Sequence, residues 1–209
     1  MIREKLITAL FLTAILLSSW AYRAYAATNA TAILEQIITP GVVSTDIRDA
    51  GGSVITNPII AMNSLVLSTT SQVSTGVFGT SSQRITVDNP GGANNGWSLS
   101  LNATNPATDV WTSGFDTYKF NATTAANGQL TVDPTAGTIS YTVGGSAGIS
   151  LGMQATFNSV APITLVSAAA LSSDLWNGYF TGIGLSQTVP AGQPAGTYTL
   201  PMTQTLTVV

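Results

Sequence analysis

The chain offers few residue types for chemistry. Histidine and cysteine are both absent. That removes the commonest general base, Ser-His and Cys-His catalysis and the usual zinc ligand sets. Carboxylates remain, and a glycosidase needs two of them a set distance apart. Asp109 with Asp116, or Asp116 with Asp133, are the available pairs, but no motif ties them. Asp133-Pro134-Thr135-Ala136-Gly137 lacks the dense alternating acids of a calcium loop and reads as a turn. The chain therefore reads as non-enzymatic, with no metal site and no cofactor.

The aromatic residues are the stronger signal. Trp111, Phe115, Tyr118, Trp176 and Tyr179 stand among Asn and Asp residues. Aromatic faces stack on the apolar faces of sugar rings, while amides and carboxylates take the hydroxyls. The competing reading is a satellite hydrophobic cluster under a long loop. Trp111, Phe115 and Tyr118 fall in Asn105 to Gly128, where nothing alternates for long. That stretch is expected to be an extended loop, or a short strand at Tyr118–Phe120, and loops beyond about 12–15 residues are often functional.

Short strands must position these residues. Arg84–Val87 runs into the turn-forming cluster Asp88 to Gly96, and a second strand opens on Trp97. Trp97, Leu99 and Leu101 share one face of it, and Ser98, Ser100 and Asn102 the other. The turn predicts antiparallel neighbours. From Tyr198 to Val208 the even positions are apolar except for Gln204. A buried amide is costly unless paired, so Gln204 is an interior residue with a partner or a residue facing a site near Trp97. Pro201 predicts an edge strand or a bulge. Ile37–Ser44 predicts a first strand, Thr45–Pro58 a loop, Ser64–Thr69 a buried strand and Ser71–Ser82 a polar turn region. Leu130–Val143 predicts a hairpin, and Ile149–Met153, Ile163–Leu165 and Ile183–Leu185 further strands. Ala168–Leu175 suits one helical turn. Short strands at steady spacing between turn signals predict an all-β fold: a single-domain antiparallel β-sandwich or barrel-like fold with a long aromatic-containing loop.

The Trp97-Ser98-Leu99 triplet, preceded by its Asp and glycine turn, resembles the first motif of the WxL domain family. These are surface proteins of Gram-positive bacteria that attach non-covalently to the cell wall. Ile38-Thr39-Pro40-Gly41 is similar to the start of that domain, and Gly196 to Leu206 is similar to its second motif. Where that motif normally has Trp-x-Leu, this chain has Gln204-Thr205-Leu206. The resemblance implies a cell-wall polymer, peptidoglycan or a wall glycan, as ligand. It also implies other surface proteins as partners, and it places Trp97, Leu99, Gln204 and Leu206 at or beneath the binding surface. By residue type alone, Trp97 and Leu99 on an apolar strand face are equally core residues.

Composition agrees with an extracellular setting. Charged residues make up 7% of the 209, far below the usual quarter or so, and Thr, Ser, Asn and Gly fill the polar positions. Residues 1–26 read as a signal peptide: Arg3 and Lys5, an apolar run from Leu6 to Leu17, then Ala24-Tyr25-Ala26 as a cleavage site. The alternative is an uncleaved anchor. Removing residues 1–26 takes away Arg3, Lys5, Arg23 and Glu4. Three basic and eight acidic side chains remain, a net charge of −5, which argues against nucleic acid as a partner. The mature domain, residues 27–209, is then expected to be secreted and wall-associated, with no membrane span. The competing function is a structural subunit that assembles with itself or with co-secreted surface proteins, since low charge weakens the repulsion between like molecules.

Overall fold

The computed structural model describes residues 31–91, 95–172 and 175–209. The expected signal peptide lies outside them. Fourteen strands follow in chain order: β1 Ser44–Arg48, β2 Gln72–Phe78, β3 Arg84–Asn89, β4 Trp97–Ala103, β5 Trp111–Ser113, β6 Asp116–Tyr118 and β7 Leu130–Asp133, then β8 Thr138–Val143, β9 Ile149–Leu151, β10 Ala155–Thr156, β11 Ile163–Ala168, β12 Trp176–Thr181, β13 Ile183–Val189 and β14 Met202–Val208. They form three four-stranded sheets, ordered β1-β3-β12-β8, β10-β7-β13-β2 and β14-β4-β11-β9, and a two-stranded ribbon β5-β6. Every pairing is antiparallel. The protein is an all-β sandwich of antiparallel sheets packed together, as its strand pattern predicts. No helix of the described residues is long and apolar enough to cross a membrane.

Residues Ile38–Val209 form one compact unit, and its three sheets enclose one core. The first sheet contributes Ile85, Val87, Trp176 and Phe180, and the second Phe78, Leu130, Val132 and Ile183. The third contributes Trp97, Leu99, Leu101, Leu165 and Val166. Alternation along β4 is complete: Trp97, Leu99, Leu101 and Ala103 are buried and the three residues between them are half-exposed. In β11 the consecutive residues Leu165 and Val166 are both buried. A register shift between Thr164 and Val166 makes this possible, because a bulge breaks the two-residue period.

Several sequence expectations are corrected. β3 and β4 are not neighbours. β3 pairs with β1 and β12, and β4 with β14 and β11. Their connection crosses between sheets, so Trp97 meets Trp176 and Phe180 of β12 from the opposite side of the core. β7 and β8 are likewise in different sheets. The 3₁₀ turn Pro134–Ala136, started by the Asp133 carboxylate accepting from the Thr135 N–H at 3.0 Å, sends the chain from one to the other. The first strand lies at Ser44–Arg48 rather than Ile37–Ser44, because pairing with β3 fixes it there. The apolar run at Ser64–Thr69 is irregular and exposed, with Val66 at 82%. Three consecutive apolar residues define no face, and the chain pairs the Val- and Thr-bearing β2 with β13 over seven residues instead. Asn105–Gly128 contains the β5–β6 hairpin and a 3₁₀ turn at Ala125–Asn127. Ala168 ends β11, and no helix occurs among the described residues 169–172.

Candidate functional site

The aromatic ribbon is built from local rules. Ser113 and Asp116 face each other across the two-residue turn Gly114-Phe115. Gly114 has φ 61° while Phe115 keeps a negative φ, the pattern of a II′ turn with glycine first. Phe115 is thereby carried to the tip, fully exposed at 106%. At the other end of the ribbon Trp111 and Tyr118 are directly paired. Their rings stack at 5.9 Å between centroids and 12° between planes. Cross-strand aromatic pairs of this kind stabilise a ribbon by roughly 0.2–1 kcal/mol each.

The C-terminal segment completes the platform. Thr199 bridges Thr112 through reciprocal N–H···O bonds of 2.9 and 3.0 Å, which lays Tyr198 beside the ribbon. The Tyr198 ring lies 5.2 Å from Tyr118, tilted by 59°. Its hydroxyl donates to the Pro194 carbonyl at 2.9 Å and accepts from Gln193 Nε2 at 2.8 Å. Gly196 lets this loop close on the ribbon, since a Cβ there would stand 2.4 Å from Ser113 Oγ. Trp111, Tyr118 and Tyr198 are each half-buried. Burial, reinforced by the charge Tyr198 can acquire, pushes the Tyr118 phenol from 10.0 to about 12.

One buried amide anchors this array. Trp111 Nε1 donates to Gln187 Oε1 at 2.9 Å. The Gln187 amide nitrogen donates to the Thr188 carbonyl at 2.7 Å and the Lys119 carbonyl at 3.4 Å. Gln187 is 1% exposed, so both ends of its amide are satisfied without water, as burial requires. Sequence reasoning missed it by ending the strand at Leu185. Two residues further on, Gln187 sits in phase with Ile183 and Leu185, the same signature that singled out Gln204.

The other expected site residues lie elsewhere. Trp97, Leu99 and Trp176 are core, each at most 1% exposed. Trp176 stacks on Phe180 at 5.6 Å and donates from Nε1 to the Gly145 carbonyl at 2.9 Å. The Trp97 indole N–H is buried without a partner. Trp97 and Trp176 thus present no ring face at the surface, so Trp97 and Leu99 lie beneath rather than at any binding surface, and Trp176 is separated from Trp111 and Tyr118. Leu206 pairs with Leu99 and packs half-buried on the core, and Val208 pairs with Trp97. The two stretches that resemble family motifs are thus neighbouring strands. Gln204 is opposite Leu101 rather than at Trp97. It is half-buried and its amide nitrogen has a partner: Nε2 donates to Thr45 Oγ1 at 2.9 Å, and Thr45 Oγ1 donates to the Thr86 carbonyl at 2.8 Å. This relay ties β14, at the edge of the third sheet, to β1 at the edge of the first.

The carboxylates serve local turns. Asp109 Oδ2 accepts from the Asn105 N–H at 2.6 Å, and Asp133 starts the 3₁₀ turn. Among the described residues no group of three or more acids could hold a metal ion. Two concavities lie away from the aromatic ribbon. One, of about 420 Å³, runs along β2 beside Ile59, Ala61 and Val77. The other, of about 230 Å³, is on the outer face of the first sheet. No family model, no curated protein and no solved structure matches the chain.

Proposed function

We propose that the protein is a secreted, non-enzymatic surface protein that binds a bacterial wall glycan, peptidoglycan or a related polymer, without a covalent link. The observation that carries this reading is the Trp111–Tyr118–Tyr198 array, with Phe115 projecting from the turn at the other end of the same ribbon. A fully exposed Phe is costly to solvate, and a stacked aromatic surface rimmed by Thr, Ser and Gln suits a polyhydroxylated ring. The surroundings support it: few charges, many hydroxyls, and the likeness of Trp97–Leu99 and Gly196–Leu206 to WxL motifs. On this reading Trp97, Leu99 and Leu206 act from beneath, as the core that holds β4 and β14 together. A second reading, assembly with itself or co-secreted surface proteins, is favoured by Ile59, Val66, Leu67 and Val73, all more than half exposed. Sedimentation of the protein with purified cell walls separates the two when size is measured in parallel. The glycan reading expects a monomer that is retained, with Phe115→Ala losing most of the retention at unchanged thermal stability. A retained fraction that is indifferent to Phe115→Ala and tracks a large oligomer refutes it in favour of assembly.

A further inference from the structure

The outer face of the first sheet holds a feature that a wall-facing aromatic ribbon does not explain. After residue 26 the chain has three basic residues, Arg48, Arg84 and Lys119. Two of them, Arg48 on β1 and Arg84 on β3, are direct cross-strand partners. Like charges placed opposite each other oppose pairing, and a chain this poor in cations has no shortage of other residues for the position. Both arginines line the 230 Å³ cleft, with Thr86, Thr142, Asn177 and Tyr179 and the tight loop Asp49 to Gly52. That loop is closed by the Asp49 N–H donating to the Ser53 carbonyl at 2.9 Å and the Gly52 N–H to the Asp49 carbonyl at 3.1 Å.

The acids nearby pair with only one of the two cations. Arg48 Nη2 meets Asp46 Oδ2 at 2.9 Å, the only ion pair among the described residues. Asp49 Oδ1 accepts from the Ser53 N–H at 2.9 Å, and Asp88 Oδ1 accepts from Asn177 Nδ2 at 3.0 Å. Arg84 has no carboxylate partner among the described residues. Its Nη1 donates to the Ala50 carbonyl at a long 3.3 Å, and its guanidinium lies 4.4 Å over the Tyr179 ring. Stacking holds a guanidinium plane in place while leaving its edge free to meet an anion. The Nε–H groups of Arg48 and Arg84 are both buried without an acceptor. Orphaned donors on two facing cations are costly, and an oxyanion is the acceptor that guanidinium groups bind most strongly.

We propose that this cleft binds an oxyanion, carboxylate or phosphate, carried on a polyhydroxylated polymer: Arg48 and Arg84 clamp the anion, and Thr86, Thr142 and Asn177 take hydroxyls. The site shares no residue with the aromatic ribbon, so it stands or falls separately from the glycan reading. The test is the thermal midpoint of the protein as inorganic phosphate, glucuronate, glucose or chloride is added at matched ionic strength. Phosphate and glucuronate are expected to raise the midpoint with saturation, and glucose and chloride are not. Arg84→Gln should weaken the effect at least tenfold. Thr142→Glu keeps both arginines and changes an exposed position at the cleft; it should abolish the effect by supplying its own carboxylate. Retention on a polyuronate or on a poly(glycerol phosphate) resin then tells which polymer carries the anion. The proposal is overturned by no shift above the chloride control, by equal shifts in Thr142→Glu and the parent, or by retention on neither resin.

Discussion

The contact between Trp111 and Gln187 makes the sharpest forecast, because both groups are identified and the amide is walled off from solvent. Trp111→Phe keeps an aromatic ring beside Tyr118 but removes the indole N–H together with part of the ring's packing surface, leaving Gln187 Oε1 buried and unpaired. Stranding a buried acceptor costs about 1–3 kcal/mol. For a domain of this size each kcal/mol moves the midpoint by about 2–4 °C, so a fall of roughly 2–12 °C is expected. Gln187→Met holds the volume and strands the Trp111 N–H together with the Thr188 and Lys119 carbonyls, so it should cost at least as much. The double variant removes both partners of the 2.9 Å bond. Its loss should fall short of the sum of the single losses by about 0.5–3 kcal/mol, the range for residues in contact. Chemical denaturation of the four proteins measures this directly. Strict additivity, or a Trp111→Phe loss below about 0.5 kcal/mol, the scale of a plain surface change, would refute the claim that this bond anchors the ribbon. Retention on cell walls is a separate readout: Trp111→Phe preserves a ring face and should retain binding, whereas Phe115→Ala should not.

Two further outcomes follow from the same geometry. Gln204→Ala should cost about 1 kcal/mol, the net worth of one hydrogen bond, because it loses the bond to Thr45 but also deletes Oε1, which is buried without a partner. Gln204→Met should cost less still, and denaturation curves in which Met is the worse replacement would contradict the relay. The Tyr118 phenol, held up at about 12 mainly by burial, should titrate well above the ordinary tyrosine range in a phenolate absorbance titration. Its folded value exceeds its unfolded 10.0, so its contribution to stability is complete below pH 10 and is lost as pH rises towards 12. Unfolding midpoints that do not fall across that window would show the ring to be solvated.

Much of the architecture is written in local pattern. Alternation in β4 and β14 named the buried and half-buried faces of both strands, and it marked Gln204 as an amide that is either paired in the interior or facing a site. The same rule, carried two residues further along β13, would have found Gln187. The ribbon too has a local signature in Ser113-Gly114-Phe115, a glycine in the first turn position between two short β-prone triplets. Reading Asn105 to Gly128 for long alternation hid it, because strands of three residues are too short to alternate visibly.

Which strand lies beside which is not local. The turn after β3 and the turn after β7 both look like hairpin turns, and both carry the chain into another sheet. Turn residues specify that the chain reverses; they do not specify whether the next strand bonds to the last one or packs across the core from it. That choice belongs to the whole core. Trp97 is buried by meeting Trp176 and Phe180 from the opposite sheet, residues about eighty positions away. The fate of the aromatic residues was decided in the same way. Residue type marked Trp111, Tyr118 and Trp176 alike, and the family resemblance added Trp97. Sheet order sent Trp97 and Trp176 inside and left Trp111 and Tyr118 on a ribbon at the surface, with Tyr198 brought in by the last segment of the chain. The all-β class, the strand faces and the scarcity of catalytic groups follow from residue types and their period. The platform and the facing arginines exist only because distant strands pair in one register, and hydrogen bonding between strands carries no record of their order in the chain.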